Sequence, residues 1–316
     1  MSLKVSKPAT ETDNYPSRQP GQVAGAIPRL EPVVYADSES QAPVALALIE
    51  RYRKQGFMIF DQLFSANEVV AWQEELDCLR HDEQMKNRDE TISEPGSREV
   101  RSIFAVHKLS RLIDRLSRDS RLLRLAEYLL NDRVYLHQSR LNYKSGFRGK
   151  EFYWHSDFET WHVEDGMPAM RALSMSITLT DNYSTNGPLL LIPGSHKEYA
   201  ACEGETPEEH FKSSLKQQCY GVPDDANIKR LVEQNGIVEF IGKPGSVCLF
   251  DCNILHGSNS NISPHPRSNI FFVYNAIGNR VVEPFSGQPP RPEYICTRGS
   301  ITPINATQEE QSNEQH

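Results

Sequence analysis

The sequence predicts an α+β fold in which a layer of helices packs against a β-sandwich or jelly roll. Segments with helical spacing come first and extend to about residue 130. From Val134 onward the pattern changes to short strands separated by Gly, Pro and Asn turns. A run of helices followed by many short strands is typical of such a layered arrangement.

Three stretches carry the helical prediction. The first, APVALALIERYRKQG, ends at Gly56, a residue type that often follows the last turn of a helix. After a short strand at 57–61 (FMIFD), Ser65 and Glu68 form a capping-box pattern that predicts the start of a helix through VVAWQEELDCLRHDEQMK. A polar loop, NRDETISEPGSRE, then leads to a third helical region, LSRLIDRLSRDSRLLRLAEYLL, with Leu and Ile on one face.

The strand candidates lie in the second half of the chain. They are bounded by turn-forming residues and are rich in β-branched or aromatic side chains. In chain order they are VYLHQSRLNYK, EFYWHSDF, RALSMSITLTD, GPLLLIPGS, GSVCLFD and SNIFFVYN. This part of the chain is therefore predicted to form the β-layer.

Composition divides the chain into one domain with a segment at each end. Residues 1–43 are polar and contain several prolines, which predicts a flexible or surface-draped N-terminal arm. Residues 44–302 are predicted to form a single domain, and the polar tail 303–316 is predicted to be disordered. Within the domain, the polar segment 203–235 interrupts the strands and is either a lid over the site or a surface decoration.

Charge and cysteine content limit the class of partner. The net charge of −8 argues against binding to nucleic acid or to an anionic membrane surface. No apolar run reaches the roughly 18 residues of a membrane span, and the first residues lack the apolar region of a secretory signal. The 6 cysteines show no C-x-x-C spacing, so neither a zinc site nor a disulfide framework is indicated. A cytoplasmic location is the expectation.

His155-Ser-Asp157, followed by His256, is the candidate metal motif. Two imidazoles and one carboxylate are typical of non-haem Fe(II) oxygenases, in which three metal positions stay open. If EFYWHSDF is extended, His155 and Asp157 point to the same face of the strand. An H-x-D motif alone is weak evidence in a chain with 10 His and 42 acidic residues. The ligand types also leave zinc open.

Arg267 follows His256 after a turn and begins a strand candidate. A guanidinium there can form a bidentate pair with a carboxylate that enters beside the metal. In Fe(II) oxygenases a fixed cation of this kind usually holds the far carboxylate of 2-oxoglutarate. The alternative is a solvated arginine at a strand end.

A second polar pattern occupies the strand before the metal motif. Gln138, Arg140, Asn142 and Lys144 recur at period two and therefore share one face. That face is either exposed to solvent or forms a cavity wall that offers donors to anionic ligands. Aromatic residues are dense nearby, and a cavity that combines aromatics with fixed donors suits a small ligand with a delocalised cation and a carboxylate.

Long stretches around these motifs resemble the phytanoyl-CoA dioxygenase-like superfamily of Fe(II)/2-oxoglutarate oxygenases, over roughly residues 55–280. The resemblance is carried by the H-x-D motif, by NGPLLLIPGSHKEY, and by GSVCLFDCNILHGSNSN followed by the arginine. Within the superfamily, QSRLNYKSGFRGKEF and FYWHSDFETWHVEDGMP resemble the ectoine 5-hydroxylases. These stretches are far more specific than the H-x-D motif alone.

The resemblance implies a double-stranded β-helix core and a set of site residues. It implies that His155, Asp157 and His256 form the catalytic metal site and bind Fe(II). It implies that 2-oxoglutarate is bound by Lys144, Ser258 and Arg267, with Phe152 and Ser174 lining its pocket. The substrate ectoine would be contacted by Gln138 and Trp161, with further pocket residues Arg140, Asn142, Phe250 and Phe271.

The activity that the resemblance implies is hydroxylation of ectoine to 5-hydroxyectoine, a step of compatible-solute synthesis, with O₂ consumed and succinate and CO₂ released. One alternative is the same chemistry on another small substrate, such as a free amino acid. A fatty acyl-CoA substrate is disfavoured, because no clear basic patch for its phosphates is present. A second alternative is a non-catalytic jelly-roll binding protein with a structural metal. The sequence does not give the oligomeric state, and a homodimer stays open.

Overall fold

The computed structural model describes residues 13–94, 98–207, 209, 211 and 220–307. These residues form eight α-helices. They are α1 Leu46–Gln55, α2 Ala66–His81, α3 Glu83–Lys86, α4 Val106–Leu109, α5 Arg111–Ser117, α6 Ser120–Leu130, α7 Asp157–Thr160 and α8 Asp225–Asn235. A π-helix, Trp161–Asp165, directly continues α7. Short 3₁₀ turns occupy Glu39–Gln41, Ser184–Asn186, Ser195–Lys197 and Ile277–Asn279. None of the described helices is long and apolar enough to cross a membrane.

The described strands form three antiparallel sheets. The strands are β1 Gly25–Pro28, β2 Phe57–Phe60, β3 Thr91–Ser93, β4 Val100–Phe104, β5 Val134–Lys144, β6 Phe152–His155, β7 Ala172–Thr178, β8 Leu189–Leu191, β9 Glu198–Ala201, β10 Val238–Glu239, β11 Val247–Asp251, β12 His256–Ser258 and β13 Arg267–Ala276. The large sheet has the order β2-β11-β7-β13-β5-β4-β3, and a smaller one has the order β10-β8-β12-β6. Strands β1 and β9 form a separate pair.

The two faces of the large sheet are covered by different layers. Side chains of β13 alternate, so Ile270 and Phe272 join the core that α1, α2, α5 and α6 form on one face. Phe271, between them, joins a second core with Leu189 and Leu191 of the small sheet. The two sheets therefore face each other as a jelly roll, and the helices support the outer face of the large sheet. The predicted fold class is confirmed.

Local signals define most helix ends. Gly56 follows α1 with φ at 85°, a left-handed conformation that glycine adopts without steric cost. The Ser65 hydroxyl accepts from the Glu68 amide, and the Glu68 carboxylate accepts from the Ser65 amide, which confirms the predicted capping box. The two longer helical predictions are interrupted. Caps at Asp82, Ser110 and Asp119 start new helices there, because their side chains accept backbone amide hydrogens.

The segment predicted as an N-terminal arm differs from the prediction where it is described. Tyr15 is fully buried, and β1 pairs with β9 over four residues. The Arg29 guanidinium lies 2.8 Å from the Asp251 carboxylate. Residues 13–43 are therefore packed against the domain by long-range contacts that composition does not indicate. Residues 1–12 lie outside the described part of the chain.

Two further predicted segments are described in part. Residues 303–307 of the predicted tail are attached, because the Ile304 amide donates to the Val134 carbonyl and Ile304 is buried. In the predicted insertion, α8 packs Ile228 and Leu231 against Ile192 and Leu255. Residues 208, 210, 212–219 and 308–316 lie outside the described residues, so the lid and the end of the tail stay predictions.

Candidate metal centre and binding cleft

The three candidate metal ligands converge from two neighbouring strands and a helix start. His155 ends β6 and pairs in antiparallel register with His256, the first residue of β12. Asp157 is the first residue of α7, with Ser156 as its N-cap. The expectation that EFYWHSDF is extended is confirmed for Phe152–His155 and wrong after it, because the Ser156 hydroxyl accepts from the Glu159 amide and starts a helix. The turn still brings Asp157 back to the histidines.

The ligand atoms of these three residues lie within 4.8 Å of one another. The Nε2 atoms of His155 and His256 are 3.7 Å and 3.8 Å from Oδ1 of Asp157. All three side chains are buried. The Ser174 hydroxyl donates to Oδ2 of Asp157 at 3.3 Å, which leaves Oδ1 directed toward the histidines.

The protonation of both imidazoles suits a metal. Nδ1 of His155 lies 2.8 Å from the Tyr153 carbonyl, and Nδ1 of His256 lies 3.1 Å from the Ile254 carbonyl. A carbonyl only accepts, so each Nδ1 carries the proton and each Nε2 offers a lone pair. Burial, followed by the neighbouring His256, lowers the pKa of His155 to about 3, so the ring is neutral at pH 7. Two neutral imidazoles and a carboxylate fit Fe(II). The ligand types alone would also fit zinc.

A cationic subsite lies beside this centre. Lys144 and Arg267 are register partners on β5 and β13 and are both buried. The Lys144 ammonium donates to the Ser258 hydroxyl at 2.9 Å and to the Asn259 carbonyl. Nε of Arg267 has no hydrogen-bond partner among the described residues. Two buried basic side chains that form no ion pair with a carboxylate among the described residues are a prepared anion site.

Burial and neighbouring arginines disfavour the charged forms of both side chains. Burial, and then Arg267 and Arg101, lower the pKa of Lys144 to about 6. Burial, and then Arg101 and Arg140, lower the pKa of Arg267 to about 10. A bound carboxylate would raise both pKa values, because it favours the charged forms of Lys144 and Arg267.

The polar period-two face of β5 lies inside the protein. Arg140, Asn142 and Lys144 line the cleft together with Phe152, Leu189, Phe271 and the two histidines. The Arg140 guanidinium lies 4.9 Å from the ring centroid of Phe271. The Phe250 ring lies 5.1 Å from the His256 ring. The interpretation of this face as a cavity wall therefore holds for these three residues.

Gln138 and Trp161 are not among the residues that line the cleft. The Gln138 amide nitrogen donates to the Ile295 carbonyl at 2.9 Å, which leaves its amide oxygen as an acceptor. Trp161 begins the π-helix, and its ring lies 5.2 Å from that of His137. Both residues are buried.

Sequence reasoning missed one wall of the cleft. Arg101, Ser102 and Phe104 line it from β4, a strand that was not predicted. Arg101 pairs with the buried Glu94 at 3.0 Å and donates to the Glu151 carbonyl. The local signal was weak, because VRSIF is short, does not alternate between apolar and polar residues, and follows a polar loop.

Comparison with known proteins places this geometry in a family. The sequence model of the phytanoyl-CoA dioxygenase family matches residues 52–269. The ectoine dioxygenase of Sphingopyxis alaskensis is 52% identical over 287 residues, which cover 91% of this chain and 94% of that protein. The ectoine dioxygenase of Bordetella bronchiseptica is 53% identical over 292 residues, 92% of this chain and 94% of that protein.

Solved structures agree with the sequence relatives. EctD from S. alaskensis, crystallised with 2-oxoglutarate and 5-hydroxyectoine, superposes with a TM-score of 0.84 at 46% identity, covering 94% of this chain and 98% of that one. The same enzyme has also been solved with bound Fe. The carbocyclase SnoK, at 18% identity and a TM-score of 0.60, shares the fold. The chain therefore belongs to the phytanoyl-CoA dioxygenase family, within which it is similar to the ectoine dioxygenases.

Proposed function

We propose that this protein hydroxylates ectoine to 5-hydroxyectoine in a reaction that requires Fe(II), 2-oxoglutarate and O₂ and releases succinate and CO₂. The observation that carries the proposal is a His-Asp-His centre beside a buried pair of cations. Such a pair suits the far carboxylate of a 2-oxo acid, whose other end would reach the metal. The identity of 52% to an ectoine dioxygenase supports the choice of substrate.

His155, Asp157 and His256 would hold Fe(II), which supplies the oxidising chemistry when it is bound with O₂ and 2-oxoglutarate. Lys144, Ser258 and Arg267 would hold the distal carboxylate of 2-oxoglutarate. Phe152 would line its pocket, and Ser174 would orient the carboxylate of Asp157 through their hydrogen bond. The protein's contribution is orientation and exclusion of water around these groups.

Ectoine is a small ring with a delocalised cation and a carboxylate. Its partners would come from the cleft and from nearby buried residues that do not line it. The carboxylate would lie near Arg140, whose Nε has no hydrogen-bond partner among the described residues, and near Asn142. The amide oxygen of Gln138 would accept from a ring N–H. The aromatic rings that contact the delocalised cation would be those of Trp161, Phe250 and Phe271.

We further propose that the protein works in the cytoplasm. The five described cysteines are free thiols, and four of them are buried. Thiols in that state fit a reducing compartment. Assembly as a homodimer, and the absence of nucleic-acid and membrane partners, stay predictions. Light scattering of the purified protein would measure its mass in solution.

Product analysis tests the proposed activity. The iron-loaded protein is incubated with 2-oxoglutarate and ectoine, and mass spectrometry is expected to find ectoine heavier by one oxygen atom. Free proline and phytanoyl-CoA serve as matched alternative substrates, with succinate as the common readout. Succinate formation stimulated by proline but not by ectoine would favour the amino-acid alternative. No 2-oxoglutarate-dependent oxygen consumption with any substrate would favour a non-catalytic binding protein.

The depressed pKa of Lys144 predicts that 2-oxoglutarate binding takes up a proton. Above about pH 6 the Lys144 amine of the free protein is mostly neutral, and a bound carboxylate favours its charged form. We therefore expect uptake of about one proton per ligand near pH 8, and affinity that falls as pH rises above about 6. Calorimetry in buffers of different ionisation enthalpy measures the uptake.

The matched comparison is Lys144→Met. This variant should bind 2-oxoglutarate more weakly and should not take up the proton. Lys243→Met, which removes an exposed lysine, should behave as the wild type. Equal proton uptake in the wild type and in Lys144→Met would assign the effect to another group.

A further inference from the structure

The segment that follows the candidate metal ligand concentrates buried negative charge. Asp157, Glu159, Glu164 and Asp165 are all at most 7% exposed. A buried carboxylate without a partner is strongly unfavourable, so each needs a compensating group. Asp157 belongs to the metal centre, and Asp165 forms a bidentate pair with Arg291 at 2.6 Å and 2.8 Å.

The two glutamates of this segment share one arginine from the N-terminal strap, residues 13–28. Nε and Nη2 of Arg18 donate to the two carboxylate oxygens of Glu159 at 2.9 Å and 2.8 Å. Nη1 of the same guanidinium donates to Glu164 at 2.7 Å. Ser17 adds a hydrogen bond to Glu159 at 2.6 Å. Arg18 is 3% exposed, so the whole network is shielded from solvent.

The spacing of the two glutamates matches the unusual winding of this segment. Five residues separate their positions, which places them about 140° apart around an ordinary α-helix, at about 100° per residue. A π-helix, with its i to i+5 hydrogen bonds, turns less per residue than an α-helix. Glu159 lies in α7 and Glu164 in the π-helix, so the π-winding between them reduces the angle that separates the two positions. In the observed winding, one guanidinium contacts both carboxylates. The π-helix Trp161–Asp165 begins two residues after Glu159 and contains Glu164.

Trp161 is the first residue of that π-helix and lies between the two clamped carboxylates. Rewinding the segment as an α-helix would rotate the side chains after Thr160 relative to Asp157. We propose that Arg18 is a positioning residue: by bridging Glu159 and Glu164 it maintains the π-helix and so sets where Trp161 stands relative to the metal centre, without contacting substrate. The proposal rests on the proposed function, in which Trp161 packs against ectoine.

The test compares Arg18→Gln with Arg29→Gln. Arg29 directly follows the strap and is a matched control, because its side chain is also buried and paired with a carboxylate. Its partner Asp251 is on β11, outside the π-helix. Ectoine is titrated into the enzyme loaded with Fe(II) and 2-oxoglutarate under anaerobic conditions, where no turnover occurs. We expect Arg18→Gln to raise the Kd for ectoine on the order of tenfold, with iron content and 2-oxoglutarate affinity unchanged. Arg29→Gln should leave all three values near those of the wild type.

A charge-matched variant separates positioning from charge compensation. The triple variant Arg18→Gln, Glu159→Gln, Glu164→Gln removes the arginine together with both buried charges, so the thermal stability lost in Arg18→Gln should return in part. The Kd for ectoine should stay raised, because the bridge between positions 159 and 164 is still missing. Restored ectoine binding in the triple variant, or an equal rise in Kd in Arg29→Gln, would overturn the proposal.

Hydrogen–deuterium exchange supplies a readout that does not depend on the substrate. Amides of residues 157–166 should exchange faster in Arg18→Gln than in the wild type, while those of β11 should not. In Arg29→Gln this pattern should be absent. If the wild type itself fails to bind ectoine, the proposed function is rejected, and the exchange pattern alone then decides whether Arg18 maintains the π-helix. Unchanged exchange in Arg18→Gln would show that Arg18 does not maintain the π-helix.

Discussion

Asp157→Ala is expected to abolish both stable Fe(II) binding and 2-oxoglutarate-dependent oxidation. The substitution leaves two neutral imidazoles, so no ligand charge offsets that of the metal. Loss of hydrogen-bonding groups around metal ligands costs about 10- to 100-fold, so loss of a ligand should lower turnover by more than about 100-fold. Iron stoichiometry after desalting and succinate formation measure the two effects.

The metal-free Asp157→Ala protein should remain folded. The described contacts of this carboxylate include a 3.3 Å hydrogen bond from Ser174, so its removal breaks little of the scaffold. Added Fe(II) should raise the thermal midpoint of the wild type but not that of the variant. Asp181→Ala, which removes an exposed carboxylate paired with Lys243, is the control and should keep iron and activity. Normal iron content in Asp157→Ala would contradict the assigned ligand set.

Arg267→Ala is expected to raise the apparent KM for 2-oxoglutarate while iron content stays near normal. The guanidinium is 2% exposed, so a bound carboxylate would form a desolvated charge-assisted pair with it. Deleting such a pair costs about 2–4 kcal/mol, which corresponds to a rise of about 30- to 1,000-fold. Steady-state kinetics with varied 2-oxoglutarate measure the change.

Two variants sharpen this experiment. Arg267→Lys keeps the charge but cannot form a bidentate pair, so its KM should lie between those of the wild type and Arg267→Ala. Arg230→Ala, which removes a half-exposed ion pair with Glu198, should leave the KM unchanged. Loss of iron from Arg267→Ala with unchanged affinity for 2-oxoglutarate would contradict the anion-binding role.

Periodicity was a reliable guide where one pattern ran over many residues. Strand β5 was predicted with its observed bounds, Val134–Lys144, because it is long and carries a period-two polar face from Gln138 to Lys144. The capping box at Ser65 and the turn at Gly56 were also predicted, since both depend on a few adjacent residues. Short elements were less predictable. Strand β4 was missed, and Ser156 ended the strand that was predicted to include Asp157.

The sequence by itself determined the chemistry of this protein: the metal-ligand types, the arginine after His256 and the long stretches that indicate the family. Tertiary structure decided which polar residues face the cleft, because a period-two pattern describes a solvent face and a cavity wall equally well until a second sheet covers it. It also packed residues 13–28 of the predicted arm against the domain, since Arg18 meets Glu159 across a sequence separation of 141 residues. An ion pair formed over that distance depends on the path of the folded chain, which local composition does not contain.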